Sequence, residues 1–250
     1  MRIIIHSKGR AGLARGTVAY LSSVGYYNFI LACPKSEQDK YRSFAGNRYP
    51  VVPGPDVKTL SEFQDWCVDE WNKDEKLVML DDDLVFAARS DWSLPKAKFE
   101  DVRVMFIWLS KQLDTYKHAT IDTRNGNNLN YEKHGSQRKV GPARSLLAFA
   151  PNALKDIRFS DVQSKGDYHV TLALLERGFP NAISHMWTHD FSRKVLVEGG
   201  CTTYRTPQFH AEASRQLQAL HPQCVKIVNK NGRTDVRVQW QQAYKFSELM

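Results

Sequence analysis

Three consecutive carboxylates, Asp81, Asp82 and Asp83, stand between two apolar runs, Leu77-Val78-Met79-Leu80 and Leu84-Val85-Phe86. Like charges side by side repel, so something cationic should hold them. A hard divalent ion with oxygen ligands, Mg2+ or Mn2+, itself bridging substrate phosphates, meets that need. A second chemically equipped segment, Ser7-Lys8-Gly9-Arg10, directly follows the first apolar run, Ile3-Ile4-Ile5-His6. It offers two cations and flexible backbone for a nucleoside diphosphate. Taken together, the segments suit group transfer from a nucleotide: a metal on the carboxylates stabilises the departing diphosphate as a Lewis acid. Asp81 and Asp83 would then hold ribose and metal, with Ser7, Lys8, Arg10, Asp81 and Asp82 around the nucleotide.

The bland reading is a solvated acidic turn with two surface cations nearby. A solvated turn rarely sits between two core-seeking segments, which argues against it. Other phosphate chemistries fit less well. No GxxxxGK[ST] is present, so the aspartates do not belong to a P-loop NTPase. Gly9, Gly12 and Gly16 do not match GxGxxG, which leaves a dinucleotide fold unsupported. Asp81 to Val85 formally matches the DxDx[TV] motif of haloacid dehalogenase phosphatases. That motif follows the first strand of its sheet, whereas about three strand-like runs precede it here.

These residues need elements to position them. Ile3 to His6, Tyr27 to Cys33, Tyr49 to Val52 and Leu77 to Leu80 read as strands. Leu13 to Val24 and Thr59 to Asn72 have helical spacing, and Thr59 with Glu62 forms a capping box. Such alternation predicts a mostly parallel sheet with helices on its faces. Acidic side chains delivered at a strand's carboxyl end then point into the ligand crevice. Farther along, Phe99 to Tyr116 reads as a long helix and His118 to Ile121 as a strand. The segment from Asp122 to Pro142 shows no periodicity and reads as a long loop. Ser145 to Ala150 and Ala182 to Trp187 read as strands, Asp167 to Arg177 as a helix. Gly199-Gly200 breaks the chain, Glu212 to Leu220 is helical, and Val225 to Val228 and Asp235 to Trp240 close it as β segments.

With 250 residues, 42% hydrophobic and 25% charged, the composition is that of a globular protein. No run approaches the roughly 20 apolar residues of a membrane helix. Cys33, Cys67, Cys201 and Cys224 lack CxxC spacing, which points to a reduced, cytoplasmic setting without a zinc site. The net charge of +8 invites an anionic partner. Arg124, Lys133, Arg138, Lys139 and Arg144 form one basic cluster; Lys226, Lys230, Arg233, Arg237 and Lys245 form another. Aromatic residues lie among both (Tyr131; Trp240 and Tyr244), a mixture that suits a nucleic-acid groove as well as a solvated surface.

The ordered set of Ser7-Lys8-Gly9-Arg10, Leu80-Asp81-Asp82-Asp83-Leu84, Gly166-Asp167, Glu176-Arg177-Gly178, Gly199-Gly200-Cys201-Thr202-Thr203-Tyr204-Arg205 and Arg233-Thr234-Asp235-Val236-Arg237 resembles glycosyltransferases of the GT-A fold. More narrowly, the chain is similar to phage glycosyltransferases associated with TET-type dioxygenases, and the similarity spans nearly its whole length. The resemblance implies one GT-A-like α/β domain over residues 1–250. Residues 1–90 would form a mostly parallel, Rossmann-like nucleotide-sugar half, and residues 91–250 a mixed acceptor and catalytic half with a basic C-terminal extension. It implies transfer of a sugar from a UDP-linked donor to the hydroxymethyl group of hydroxymethylcytosine or hydroxymethyluracil in phage DNA. It further implies Asp83 as main metal ligand, Asp81 as ribose or metal contact, Asp167 as general base, and a late histidine, His189 rather than His185, as a further metal ligand. Asp167 has a second reading as a helix-capping carboxylate. Arg124, Lys133, Arg138, Lys139, Arg144, Arg233 and Arg237 would face the DNA, and Tyr131, Trp187 or Trp240 would stack on a flipped base. A glycan or small-molecule acceptor, or DNA binding without catalysis, are the alternatives.

Overall fold

The structure is a computed structural model that describes residues 1–11, 16–191, 206–230 and 232–246. The first half lays down β1 (Arg2–His6), α1 (Thr17–Ser23), β2 (Ile30–Pro34), α2 (Gln38–Ala45), β3 (Val51–Gly54), α3 (Leu60–Trp71) and β4 (Leu77–Leu80). Strands β3, β2, β1 and β4 are adjacent in that order and all parallel. Ile3 to Ile5 and Leu77 to Leu80 are buried without alternation, as expected for parallel strands covered on both faces. The expected capping box is present: Thr59 accepts from the Glu62 N–H, and Glu62 accepts from the Thr59 N–H at 2.8 Å.

The second half is mixed. It contains β5 (Leu84–Ala88), α4 (Phe99–Gln112), β6 (His118–Thr123), α5 (Asn127–His134), β7 (Gln137–Lys139), β8 (Leu146–Phe149), α6 (Gly166–Glu176) and β9 (Asn181–Phe191). Strand β8 runs antiparallel between β4 and β6, β9 is parallel to β6, and β5 and β7 pair antiparallel with β9. The sheet order is therefore β3-β2-β1-β4-β8-β6-β9-β5. In that order β4 and β5 are four strand spacings apart, about 19 Å in a flat sheet. Only Asp81 to Asp83 join them, and so short a link reaches at most about 14 Å. The sheet must curl, and the acidic link crosses the top of the curl.

After β9 come α7 (Pro207–Leu220), the antiparallel hairpin of β10 (Val225–Lys230) and β11 (Arg233–Val238), and α8 (Trp240–Phe246). Val162, Leu172, Leu175, Leu217, Val225 and Ala243 form a second apolar cluster that seats this unit against α6. Among the described residues no helix is long and apolar enough to cross a membrane.

The expected long loop from Asp122 to Pro142 is corrected: it holds α5 and β7. Helix α5 buries only Asn127, so it carries no apolar stripe for periodicity to show. Helices α2 and α8 and strand β5 were also not expected. The start of the expected Leu13 to Val24 helix, and the Gly199 to Arg205 segment, lie outside the described residues.

Candidate functional site

Strands β1 and β4 run side by side with Ile5 opposite Leu80, so the segments that follow them emerge together. The β1 side grips Asp82. Ser7 Oγ donates to its Oδ2 at 2.5 Å, and Arg10 Nη1 donates to its Oδ1 at 2.5 Å. Arg10 also reaches Asp83 Oδ2 at 3.5 Å. Tyr41, from the unexpected α2, braces both partners: its hydroxyl bonds Ser7 Oγ at 2.7 Å and accepts from the Arg10 N–H at 3.1 Å. Among the described residues the chain thus supplies this turn with one cation of its own. Lys8 turns away, donating to the Val57 carbonyl at 3.0 Å.

The other two carboxylates keep a deficit. Burial, then the neighbouring Asp83, push Asp81 up to about 8, against the hydrogen bond it takes from Ser145. Asp83 is raised by burial and by Asp82, with Arg10 opposing. Its Oδ1 is buried and meets no partner among the described residues. His6 does not correct the balance. Its Nε2 lies 3.5 Å from Asp81 Oδ1, but burial holds its pKa down near 4, so the ring is neutral at physiological pH. Two half-buried carboxylates and an orphaned oxygen fit a hard divalent cation. Among the described residues no three His, Cys, Asp or Glu side chains converge as a complete metal cage.

Backbone chemistry fixes the acidic turn. Thr17 Oγ1 donates to the Asp81 carbonyl at 2.5 Å and accepts from the Leu84 N–H at 2.8 Å, while the Thr17 N–H donates to the Asp82 carbonyl at 2.9 Å. Gly16 makes this approach possible, because a Cβ there would stand 2.2 Å from the Asp82 carbonyl oxygen and its φ is +108°. Gly16→Ala is therefore expected to unseat the turn, destabilising the protein by about 2–3 kcal/mol; urea denaturation measures it.

The raised pKa of Asp81 has a thermodynamic signature. The folded state holds a proton that the unfolded chain releases above about pH 4, so stability falls as pH rises from there to about 8. Asp81→Asn is expected to melt several degrees higher than the parent at pH 8.5 with a chelator present, and the gain shrinks toward pH 4. Thermal denaturation across that range checks it.

Opposite the turn lies a strained segment. The Leu146 N–H bonds the Arg144 carbonyl at 2.5 Å across Ser145, whose φ is +59°. That is a γ-turn of the rare positive-φ kind. It presents the Ser145 carbonyl to the Asp81 N–H at 2.9 Å, so strain here holds a site residue in place. Arg144 leaves the same turn. Its guanidinium lies 4.9 Å over the Tyr168 ring, and Nη2 donates to the Tyr168 hydroxyl. Tyr168 follows Asp167 in the first turn of α6, and the charge of Asp167 is among those that raise Asp81. Asp167 therefore lies within electrostatic reach of the acidic turn. Gly166 lets the helix start pack closely, since a Cβ would stand 2.8 Å from the Phe159 carbonyl oxygen. A buried chain of His169, His221 and Glu176, with contacts of 2.9 and 2.8 Å, and Lys165 bound to Asp235 at 2.7 Å, tie α6 to the C-terminal unit.

The expected metal triad of Asp81, Asp83 and His189 is not assembled. The β6–β9 register shifts after Ile121, and His189 sits buried opposite Phe86, under the influence of Asp122 and Arg144. Burial holds its pKa near 4, and neither ring nitrogen meets a partner among the described residues. His185 is committed elsewhere, its Nδ1 on Asp122 Oδ2 at 2.9 Å. That carboxylate also accepts from Asn127 and Asn130 at 3.1 and 2.8 Å, and these bonds hold its pKa low despite burial.

The expected acceptor cations divide into groups. Arg144 joins the surroundings of the acidic turn, and the Arg124 N–H bonds the His189 carbonyl at 2.9 Å. Lys133 is exposed on α5, Lys139 lies near the Tyr116 ring, and Arg138 is half-buried near Asn130. On the hairpin, Lys226 faces Arg237 and Lys230 faces Arg233 across the ladder, all four exposed. His6, Thr17, Tyr41, Ser145 and Tyr168 were not anticipated. Only His6 left a local trace, as the last residue of a strand beside the site.

A sequence profile described as TET-Associated Glycosyltransferase matches residues 1–183. That stretch includes the acidic turn, Ser7 to Arg10 and Asp167, and stops before His185, His189 and the basic hairpin. No curated protein matches the chain. Among solved structures, a candidate glucose-1-phosphate thymidylyltransferase from Bacillus anthracis is 11% identical, with a TM-score of 0.44 over 74% of this chain and 85% of its own. A mannose-1-phosphate geranyltransferase from Thermus thermophilus is 12% identical, TM-score 0.44, over 76% and 75%. An inositol-1-phosphate CTP transferase from T. maritima is 12% identical, TM-score 0.43, over 87% and 96%. At these TM-scores the likenesses carry no functional weight.

Proposed function

The chain belongs to the TET-associated glycosyltransferase family, and from that premise we propose that it moves a sugar from a UDP-linked donor to the hydroxymethyl group of a modified pyrimidine in DNA. The observation that carries the donor side is the split state of the acidic turn. Asp82 is neutralised by Arg10, while Asp81 and Asp83 remain raised and Asp83 Oδ1 lacks a partner among the described residues. Asp81 and Asp83 would hold Mn2+ or Mg2+, and that ion would supply charge neutralisation for the departing diphosphate. Ser7 and Arg10, bonded to Asp82, would face the nucleotide. Asp167, whose charge acts on Asp81, would take the proton of the attacking hydroxyl as general base.

The acceptor side rests on charge. Lys226 opposite Arg237, and Lys230 opposite Arg233, place like charges directly across a ladder, which destabilises a hairpin. A phosphate backbone along that face offsets the repulsion. Nucleosides released from hydroxymethylated DNA after incubation with Mn2+ and a panel of UDP-sugars, weighed by mass spectrometry, test the proposal. One nucleoside heavier by a sugar is the expected result. Unmodified DNA beside a glycosylated free nucleoside or glycan would move the acceptor to another class.

A further inference from the structure

Trp92 is 61% exposed, and none of the other tryptophans of the chain reaches such exposure. An exposed tryptophan on a loosely held loop calls for no explanation, but Trp92 is not loosely held. Ser90 and Ser93 exchange both backbone hydrogen bonds, at 3.0 and 2.9 Å, with Asp91 at φ +52° between them. Asn128 Nδ2, from α5, donates to the Trp92 carbonyl at 3.2 Å. Tyr131 meets the indole at right angles, ring centroids 6.0 Å apart.

Arg89 completes the frame. Its guanidinium lies 4.1 Å over the Tyr131 ring. Four of its five N–H donors go to the His185 carbonyl at 3.2 Å, the Asp91 carbonyl at 2.7 Å, Asn128 Oδ1 at 2.9 Å and Asn127 Oδ1. Arg89 therefore acts chiefly as a brace. Its effect is to hold a large π surface still at the tip of a tight turn and open to solvent. Arg124 and Lys133 are exposed on the neighbouring loop and helix.

A rigid aromatic face held by α5, whose flanks carry the exposed Arg124 and Lys133, on a chain of net charge +8, matches a strand that carries both phosphates and bare π faces. Paired bases in a duplex hide those faces, so such a platform selects a base that is unpaired or turned out of the stack. We propose that Trp92, braced by Tyr131 and Arg89, is the docking platform for an unstacked nucleobase of the DNA acceptor. This rests on the DNA-acceptor reading above and adds to it that the enzyme engages a locally opened strand. None of Tyr131, Trp187 and Trp240, the stacking residues expected from sequence, offers a comparable surface. Tyr131 is covered by Arg89, Trp187 packs on Trp108, and Trp240 packs on Tyr168.

Fluorescence anisotropy of labelled DNA carrying hydroxymethylcytosine, as a single strand, as a duplex with an unpaired bubble and as a full duplex, tests this. Stacking on one ring sets the scale. Trp92→Ala is expected to weaken single-strand and bubble binding about tenfold, with a smaller loss on the full duplex. Trp92→Phe, which keeps a π face, should recover most of it. Undiminished single-strand binding by Trp92→Ala, in an enzyme that still modifies DNA, overturns the platform and leaves the acceptor reading standing. So does an equal loss on all three DNAs, or a loss that Trp92→Phe does not restore. A parent protein that neither binds nor modifies DNA while glycosylating another acceptor overturns both.

Discussion

Asp83→Asn is expected to lower sugar transfer by about a thousandfold or more while leaving the fold intact. Asparagine matches aspartate in shape, so the turn that Thr17 and Gly16 hold against the Asp81 and Asp82 carbonyls is undisturbed. The change removes one partner of a like-charge pair, since Asp82 raises Asp83 in the folded protein. Metal-free stability should therefore hold or rise. What is lost is the carboxylate whose Oδ1 is left buried without a protein partner among the described residues, the position open to a cation. Steady-state kinetics with a UDP-sugar, paired with thermal denaturation, separate the two effects. Transfer at the parent rate would remove Asp83 from metal binding.

Asp167→Asn is expected to cut turnover by about a hundredfold to ten-thousandfold, the range of a lost general base, with donor affinity unchanged. The side chain belongs to the first turn of α6, beside Tyr168 and within electrostatic influence of Asp81. Its helix is anchored independently by Lys165 with Asp235 and by His221 with Glu176. Loss of a mere helix cap would cost about 1 kcal/mol of stability and little turnover. Equal loss of donor affinity and turnover would assign Asp167 to the donor pocket or to structure.

The halves of this site were unequally legible in the sequence. Strands β1 and β4, α3 with its capping box, and α6 opening at Gly166-Asp167 stood out because burial on both faces or a clean cap leaves a local pattern. The placement of Ser7 and Arg10 beside the aspartates needed only that the first and fourth strands be neighbours. Which aspartate Arg10 would take was not written there, because that pairing depends on Tyr41 from a helix too polar to announce itself. Helix α5 was hidden for the same reason, and with it the brace beneath Trp92. His189 was chosen for its place late in the domain, and the sheet seats it buried opposite Phe86, outside any three-ligand cage among the described residues. Arg144 was placed with a basic loop because its charge was visible and the γ-turn that aims it at Tyr168 was not.

Sugar transfer by this site depends on Asp81 and Asp83 jointly holding a divalent cation against the diphosphate of the donor. Calorimetric titration of UDP into the protein, with Mn2+ and then with a chelator, tests it most directly. The expected outcome is UDP affinity at least about tenfold tighter with Mn2+, a difference absent in Asp83→Asn. Equal UDP affinity under both conditions, in a protein that still transfers sugar, would contradict it.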